Sequence, residues 1–201
     1  MNAQRVSRLV TDVVVRRPWL WRLLRGRLRD VFDTIAPTWE TRIGPYHLAA
    51  LELALAEIAA PRQVLDLGTG TGAAAKAAAA RFPEAEVTGV DLSSRMIAEA
   101  AARLPGELDG RVRYQVGDAA ELSFADGAFE LVTLANMIPF FDELARVTAP
   151  GGAVVLSFSR GADTPIYVAP ERLHRELGRR GFAHFAEFSA GPATALRATR
   201  V

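Results

Sequence analysis

Val64-Leu65-Asp66-Leu67-Gly68-Thr69-Gly70-Thr71-Gly72 is the stretch on which the reading of this chain turns. An apolar run with the character of a buried strand ends in three alternating glycines. Ala73 to Ala80 follow at once, interrupted only by Lys76, and read as a helix with almost no side-chain bulk. A glycine turn at that junction lets the backbone take positive φ and lets a ligand approach the main chain without meeting a Cβ. The free N–H groups of a helix start favour an anionic or electron-rich group there. Nineteen residues beyond Gly72, Val87-Thr88-Gly89-Val90-Asp91 reads as a second strand ending in a carboxylate. Together they imply a ribose-bearing ligand held over the edge of a parallel sheet.

Outward from that pair the chain alternates. Strands are expected at 63–67, 86–91, 111–116, 129–135 and 153–158, and helices at 72–82, 94–103, 140–148 and 170–180. Such alternation predicts a doubly wound α/β fold with a mostly parallel sheet covered on both faces. The tail breaks the pattern. Phe182 to Phe188 alternates with period two, and Ala195 to Val201 follows Gly191-Pro192 with no intervening helix. These segments should form a C-terminal antiparallel hairpin, bringing the sheet to seven strands.

Upstream, residues 3–17 and 19–35 read as helices broken at Pro18, and a third helix spans roughly 46–59. In the second, Leu20, Leu24, Leu28, Val31 and Ile35 share one face, and Arg22, Arg25 and Arg29 share another. The chain therefore divides into an N-terminal helical arm or cap, residues 1–60, and an α/β domain, residues 61–201. Charge follows the same division. Eight arginines against Asp12 and Asp30 give residues 1–30 a charge of +6 within a total of +1, which leaves −5 for the remainder.

Half of the residues are hydrophobic and 23% are charged, the balance of an ordinary soluble globular protein. There is no cysteine, which excludes disulfides and thiolate metal sites. The three histidines, His47, His174 and His184, lack metal-ligand spacing, so no metal is expected. No apolar run approaches the ~20 residues needed to span a bilayer, and the N-terminus lacks the continuous apolar core of a signal peptide. A cytoplasmic location is the expectation.

Asp66-x-Gly68-x-Gly70-x-Gly72, Asp91-Leu92-Ser93, Gly117-Asp118-Ala119, Phe129-Glu130-Leu131-Val132 and Ala149-Pro150-Gly151-Gly152 follow one another in order. The set closely resembles the class I S-adenosylmethionine-dependent methyltransferases of the small-molecule type, over about residues 60–201. The resemblance implies S-adenosylmethionine as cofactor and a role for each matching residue. Gly68, Thr69, Gly70 and Gly72 make the turn beneath its methionine part, and Asp66 orients its ammonium group through water. Asp91 accepts from both ribose hydroxyls, a task suited to a carboxylate with two acceptor oxygens. Leu92 packs on the adenine, while Met96 is either a cofactor contact or plain helix packing. Asp118 accepts from the adenine amine, and the Ala119 N–H faces a ring nitrogen. Asn136 lies where the methionine ammonium and the substrate meet. Trp39 shields the cofactor, and Arg42 pairs with its carboxylate. Taken without the resemblance, Asp118 is a turn residue, Asp91 is the N-cap of the helix beginning near Ser94, and Arg42 is a solvated charge.

Two other classes compete. Gly68-x-Gly70-x-x-Ala73 also fits the fingerprint of an NAD(P)-binding oxidoreductase, with Asp91 as its ribose acid. Asp66 ahead of the first glycine, the lack of a separate substrate domain and the terminal hairpin argue against it. A non-catalytic member of the fold, acting as an interaction protein through its arm, is the second alternative.

The acceptor should be small and apolar, because Asn136-Met137-Ile138-Pro139-Phe140-Phe141 after the fourth strand is apolar. No catalytic residue stands out, and none is required where the cofactor carries its own electrophile. Tyr46, His47, Arg160 and Tyr167 are candidates for pocket walls. The arm should cap the site by its leucine face, join two copies as a homodimer through residues 1–35, or rest peripherally on anionic lipid with Trp19 and Trp21 at the interface. Nucleic acid is not the expected partner, since no RNA-binding module is recognisable and the main body is acidic.

Overall fold

β1 (Gln63–Leu67), the strand that feeds the glycine turn, runs parallel to β2 (Glu86–Asp91) on one side and to β4 (Phe129–Ala135) on the other. β3 (Val112–Val116) extends the sheet beside β2, and β5 (Thr148–Phe158) beside β4, both parallel. β7 (Ala193–Arg200) lies antiparallel to β5, and β6 (Phe182–Ala190) closes the edge antiparallel to β7. The order is β3-β2-β1-β4-β5-β7-β6. Winding reverses between β1 and β4, and at such a switch point the carboxyl ends of the strands leave an open crevice.

The computed structural model describes residues 3–201, with the side chains of residues 3–5 excepted. Met1 and Asn2, the first residues of the arm read as 1–60 and of the contact segment read as 1–35, lie outside the described residues, as does the Arg5 side chain.

Helices cover both faces of the sheet. On one face α3 (Ala49–Ala56) and α4 (Ala73–Arg81) set Leu51, Leu55, Ala75 and Ala78 against Val64, Val87, Leu131 and Val155. On the other, α6 (Phe141–Val147) and α7 (Pro170–Gly178) set Leu144, Val147, Leu173 and Leu177 against Leu65, Val132, Leu134, Val154 and Leu156. Neighbouring positions such as Val64 and Leu65 thus serve opposite layers, which explains why the strands are apolar throughout rather than alternating. The alanines of α4 let its backbone lie close to the sheet. α5 (Ser94–Ala102) follows β2 and buries Met96 and Ala100.

Two elements differ from the sequence expectation. β5 begins at Thr148, which pairs with Phe129, while Ala153 pairs with Leu131. The intervening Ala149-Pro150-Gly151-Gly152 bulges outward because Gly151 takes φ +79 and proline has no N–H for the ladder. α3 is shorter than expected and lies on β5, β6 and β7 as part of the sheet's covering layer. The part of the first sixty residues that reaches over the crevice is therefore α1 (Ala3–Arg16), α2 (Trp21–Ile35) and the 3-10 turn at residues 36–41. A further 3-10 turn from Pro18 makes the elbow between α1 and α2. Among the described residues, no helix is long and apolar enough to cross a membrane.

Candidate functional site

The glycine turn is shaped by what presses against it. Gly68 has φ +65, and a Cβ there would meet Met137 Sδ at 2.8 Å. Gly72 has φ +83 and caps the start of α4, where a Cβ would run into the Tyr114 phenol. Tyr114 carried no sequence signal. Its hydroxyl is buried without a partner among the described residues, and burial together with the nearby Asp66 pushes it up to about 12.

Asp66 supports the turn from beneath. It is 1% exposed and accepts from Thr69 Oγ1 at 2.7 Å and Thr133 Oγ1 at 2.8 Å. Loss of hydration outweighs those hydrogen bonds and pushes its carboxyl up to about 6.

Asp91 ends β2 beside the turn. Its Oδ2 accepts the Gly70 N–H at 2.9 Å and its Oδ1 the Ser93 N–H at 2.8 Å. Each oxygen keeps capacity for a further donor. Burial raises its pKa, opposed by those backbone N–H groups. Asp91 does not cap α5. Ser93 does, its Oγ accepting from Met96 N at 3.0 Å.

Above these residues opens a slot of about 770 Å³. Gly68, Gly70, Asp91, Leu92, Met96, Ala119 and Asn136 line it, so seven sequence-predicted positions from four loops or strand ends and one helix meet at one cavity. Asp66 and Thr69 lie buried beneath the turn, and Gly72 faces Tyr114. Asp118 and Arg42 stand off the slot, each on the wall of a neighbouring cavity.

The far wall is the arm, through Trp21, Leu28, Phe32 and Trp39. Side chains from this segment tie down three of the loops around the slot. Glu40 accepts from Thr71 Oγ1 in the glycine turn at 2.5 Å. Asp33 accepts from Ser93 Oγ at 2.5 Å and from Arg95 N at 3.3 Å, contacts that hold its carboxyl below the usual range. Asp118 takes the Trp21 Nε1–H at 2.8 Å on Oδ1 and Arg25 at 2.9 Å on Oδ2. Oδ1 also receives the Ala120 N–H at 2.9 Å, the contact of a turn residue.

These ties correct the reading of the arm's faces. Trp21 is 8% exposed, its ring edge-on to Phe140 at a centroid distance of 5.1 Å, so it is a wall residue and not an interfacial one. Trp19, at 64% exposure, does face outward. Arg25 turns inward to its carboxylate, and Val31 leaves the leucine face for solvent.

Beside the slot lies a chamber of about 1350 Å³, the two sharing Phe32, Trp39, Asn136 and Ile166 as lining residues. Tyr46, His47, Arg42 and Arg160 stand on its wall. Tyr167 instead packs edge-on against Phe158 at 5.0 Å. Asn136 holds φ +55, a costly conformation for a residue with a Cβ. It is fixed by its N–H to Ser157 O at 2.9 Å and by the Ser159 N–H to its Oδ1 at 2.8 Å. Its amide nitrogen meets His47 Nδ1 at 3.4 Å. Burial lowers the His47 pKa, and the charge of Glu40 opposes that shift. Among the described residues, no group of three histidines or carboxylates could hold a metal ion.

Residues 64–152 match the methyltransferase domain family. The chain is 32% identical over 164 residues to the ubiquinone/menaquinone biosynthesis C-methyltransferase UbiE of Geotalea daltonii, covering 74% of this chain and 68% of that one. It belongs to the class I S-adenosylmethionine-dependent methyltransferases. A trans-aconitate 2-methyltransferase of Methylobacterium nodulans is 34% identical over 158 residues, covering 74% of this chain and 56% of that protein. The chain spans about half the length of the first curated relatives it matches. In fold, it superposes on an S-adenosylmethionine-dependent methyltransferase from Aquifex aeolicus with a TM-score of 0.68 at 17% identity, covering 83% of this chain and 98% of that one. The cofactor of this methyltransferase family is S-adenosylmethionine, and a glycine turn beside a carboxylate with two free acceptor positions suits its amino-acid and ribose parts.

Proposed function

We propose that this chain transfers the methyl group of S-adenosylmethionine to a small, largely apolar acceptor. One observation carries the reading: Asp91, aimed by the Gly70 and Ser93 N–H groups, stands on the wall of an apolar slot whose floor is the glycine turn. In this reading Asp91 receives the ribose hydroxyls, Leu92 and Met96 hold the adenine, and the turn from Gly68 to Gly72 receives the methionine part. Asp66 acts from below by fixing Thr69 and the turn. Asp118, on the neighbouring wall, keeps a position for the adenine amine on Oδ2 beside Arg25, since Trp21 and Ala120 fill Oδ1.

The bound cofactor supplies an electrophilic methyl on a sulfonium. The protein's task is then to align the acceptor and exclude water. Phe32 and Trp39 of the arm do the second, and Asn136, shared by slot and chamber, marks where the acceptor meets the methyl. The relatives' names point to acceptors as different as a quinone precursor and trans-aconitate, so they leave the molecule open. Incubation with S-adenosylmethionine and a panel of hydroquinones and organic acids, read as S-adenosylhomocysteine release, tests the reaction. Release above the acceptor-free rate supports it; cofactor binding without release from any acceptor favours the non-catalytic alternative.

The arm has a second role in this proposal. Trp19 and Leu23, at 64% and 72% exposure, stand beside Arg16, Arg17, Arg22 and Arg27, none of which has a carboxylate partner among the described residues. Basic residues around exposed Trp and Leu suit the interface of an anionic bilayer. The protein should therefore pellet with vesicles rich in phosphatidylglycerol and not with phosphatidylcholine alone. Charge reversal at Arg22 and Arg27 should abolish pelleting, and pelleting that survives it rejects membrane contact. A concentration-dependent doubling of mass in its place would assign the surface to a homodimer.

A further inference from the structure

We propose that the chamber beyond Asn136 is a subsite for the carboxylate of a small organic acid, held between Arg42 and Arg160 with His47 as a neutral hydrogen-bond donor. The proposal rests on the methyl-transfer reading, since the chamber adjoins the slot and shares four lining residues with it.

The two guanidiniums are uncompensated. Arg42 uses only its Nε, on Thr38 Oγ1 at 3.2 Å, and the Arg160 side chain has no partner among the described residues. Arg25, Arg103, Arg113, Arg146 and Arg180, by contrast, all meet carboxylates at 3.0 Å or less. Among the described residues, no Asp or Glu lines the chamber. Glu40, whose charge reaches His47, is itself engaged by the Thr71 hydroxyl. Two arginines on the wall outnumber the one carboxylate, Glu40, whose charge reaches it, and a partly enclosed cavity with a positive excess concentrates anions. Guanidinium is the group best shaped for a carboxylate, through paired N–H bonds.

His47 adds a directed donor. Because the Asn136 Oδ1 is taken by the Ser159 N–H, its NH₂ group is the end that faces His47 Nδ1. Nδ1 therefore accepts, and the ring proton resides on Nε2. Burial keeps the ring neutral near pH 7. Nε2–H has no protein acceptor among the described residues and is open to a ligand oxygen. The polar side of the chamber thus offers donors in excess of acceptors. Phe32, Trp39 and Ile166, which line both chamber and slot, give the boundary between them an apolar surface suited to the rest of the molecule. An acid with an apolar or aromatic body fits both halves, its carboxylate outward and its body toward the methyl.

The test is calorimetric titration of the full chain, saturated with S-adenosylhomocysteine, with benzoate, cinnamate and indole-3-acetate and with the three matching amides. At least one acid should bind about tenfold or more tightly than its amide, the size expected of charge-assisted hydrogen bonds. The double variant R42Q/R160Q should lose that preference while binding S-adenosylhomocysteine as wild type does. Amides that match the acids, no binding by any of the six, or a preference that survives in the double variant each overturn the proposal. A loss of S-adenosylhomocysteine affinity in R42Q alone assigns that arginine to the cofactor's carboxylate and removes it from the subsite. The same titrations without cofactor separate the two readings. Failure of S-adenosylhomocysteine to bind removes the methyl-transfer reading, whatever the acids do.

Discussion

The two walls of the slot are built from different materials. On the body side, backbone does the work: the Gly70 and Ser93 N–H groups aim Asp91, and positive φ at Gly68 and Gly72 shapes the floor. On the arm side, side chains do it. Glu40, Asp33, Trp21 and Arg25 reach across to Thr71, Ser93 and Asp118. The body wall is consequently rigid and intolerant of added atoms, whereas the arm wall is a set of individual ties that release one at a time.

The largest expected effect tests that intolerance. Gly72→Val demands positive φ of a β-branched residue and drives its Cβ into Tyr114. It should cost about 4 kcal/mol, lowering the melting temperature by roughly 10 °C. A variant that melts with wild type would mean the body wall yields as easily as the arm.

Asp66 gives the next effect. Its folded pKa of about 6 lies above the ordinary 3.8, so its stabilising contribution is complete below about pH 4 and is lost as pH rises through 6. Two units correspond to about 3 kcal/mol. Between pH 4 and 7 wild type should lose about that much relative to Asp66→Asn, as read from urea midpoints. Parallel pH profiles for the two proteins would show that the carboxyl beneath the turn is not desolvated.

Asp91→Asn sharpens the contrast between folding and binding. The amide places an NH₂ where one oxygen now accepts a backbone N–H, so one of the two aimed positions is lost. S-adenosylhomocysteine affinity should fall about tenfold or more, with the ligand-free melting temperature within a few degrees of wild type.

The smallest effect belongs to the arm. Trp21→Phe keeps an aromatic ring against Phe140 but removes the hydrogen bond to Asp118, worth about 1 kcal/mol. Backbone amides of α2 should exchange about fivefold faster while those of α4 are unchanged, measurable by hydrogen–deuterium exchange. Equal acceleration in both helices would dissolve the distinction between the walls.

The same difference explains what was legible in the sequence. The mostly parallel, doubly wound sheet, the hairpin and the positions of Gly68, Gly70, Asp91, Leu92 and Asn136 follow from patterns within a few residues or from the order of local motifs. The ties between arm and body do not. Trp21 and Asp118 are 97 residues apart, and Asp33 and Ser93 are 60. An amphipathic helix looks alike whether an arginine on its flank meets solvent or a distant carboxylate. Arg25 and Trp21 therefore read as surface, when their places depend on how the arm lies across the crevice. Tyr114 escaped for a related reason: its fit against Gly72 and Gly89 is a contact between neighbouring elements, and nothing in its own strand marks it.

Thermal unfolding of the full chain with S-adenosylmethionine, S-adenosylhomocysteine, NAD and NADP in parallel tests the central claim most directly. A ligand present at 100 times its dissociation constant adds about 2.7 kcal/mol, a shift of several degrees. The slot beneath the arm should respond to the first two ligands and not to the dinucleotides. A shift with NAD or NADP alone, or none with any of the four, would contradict the assignment of the slot to S-adenosylmethionine.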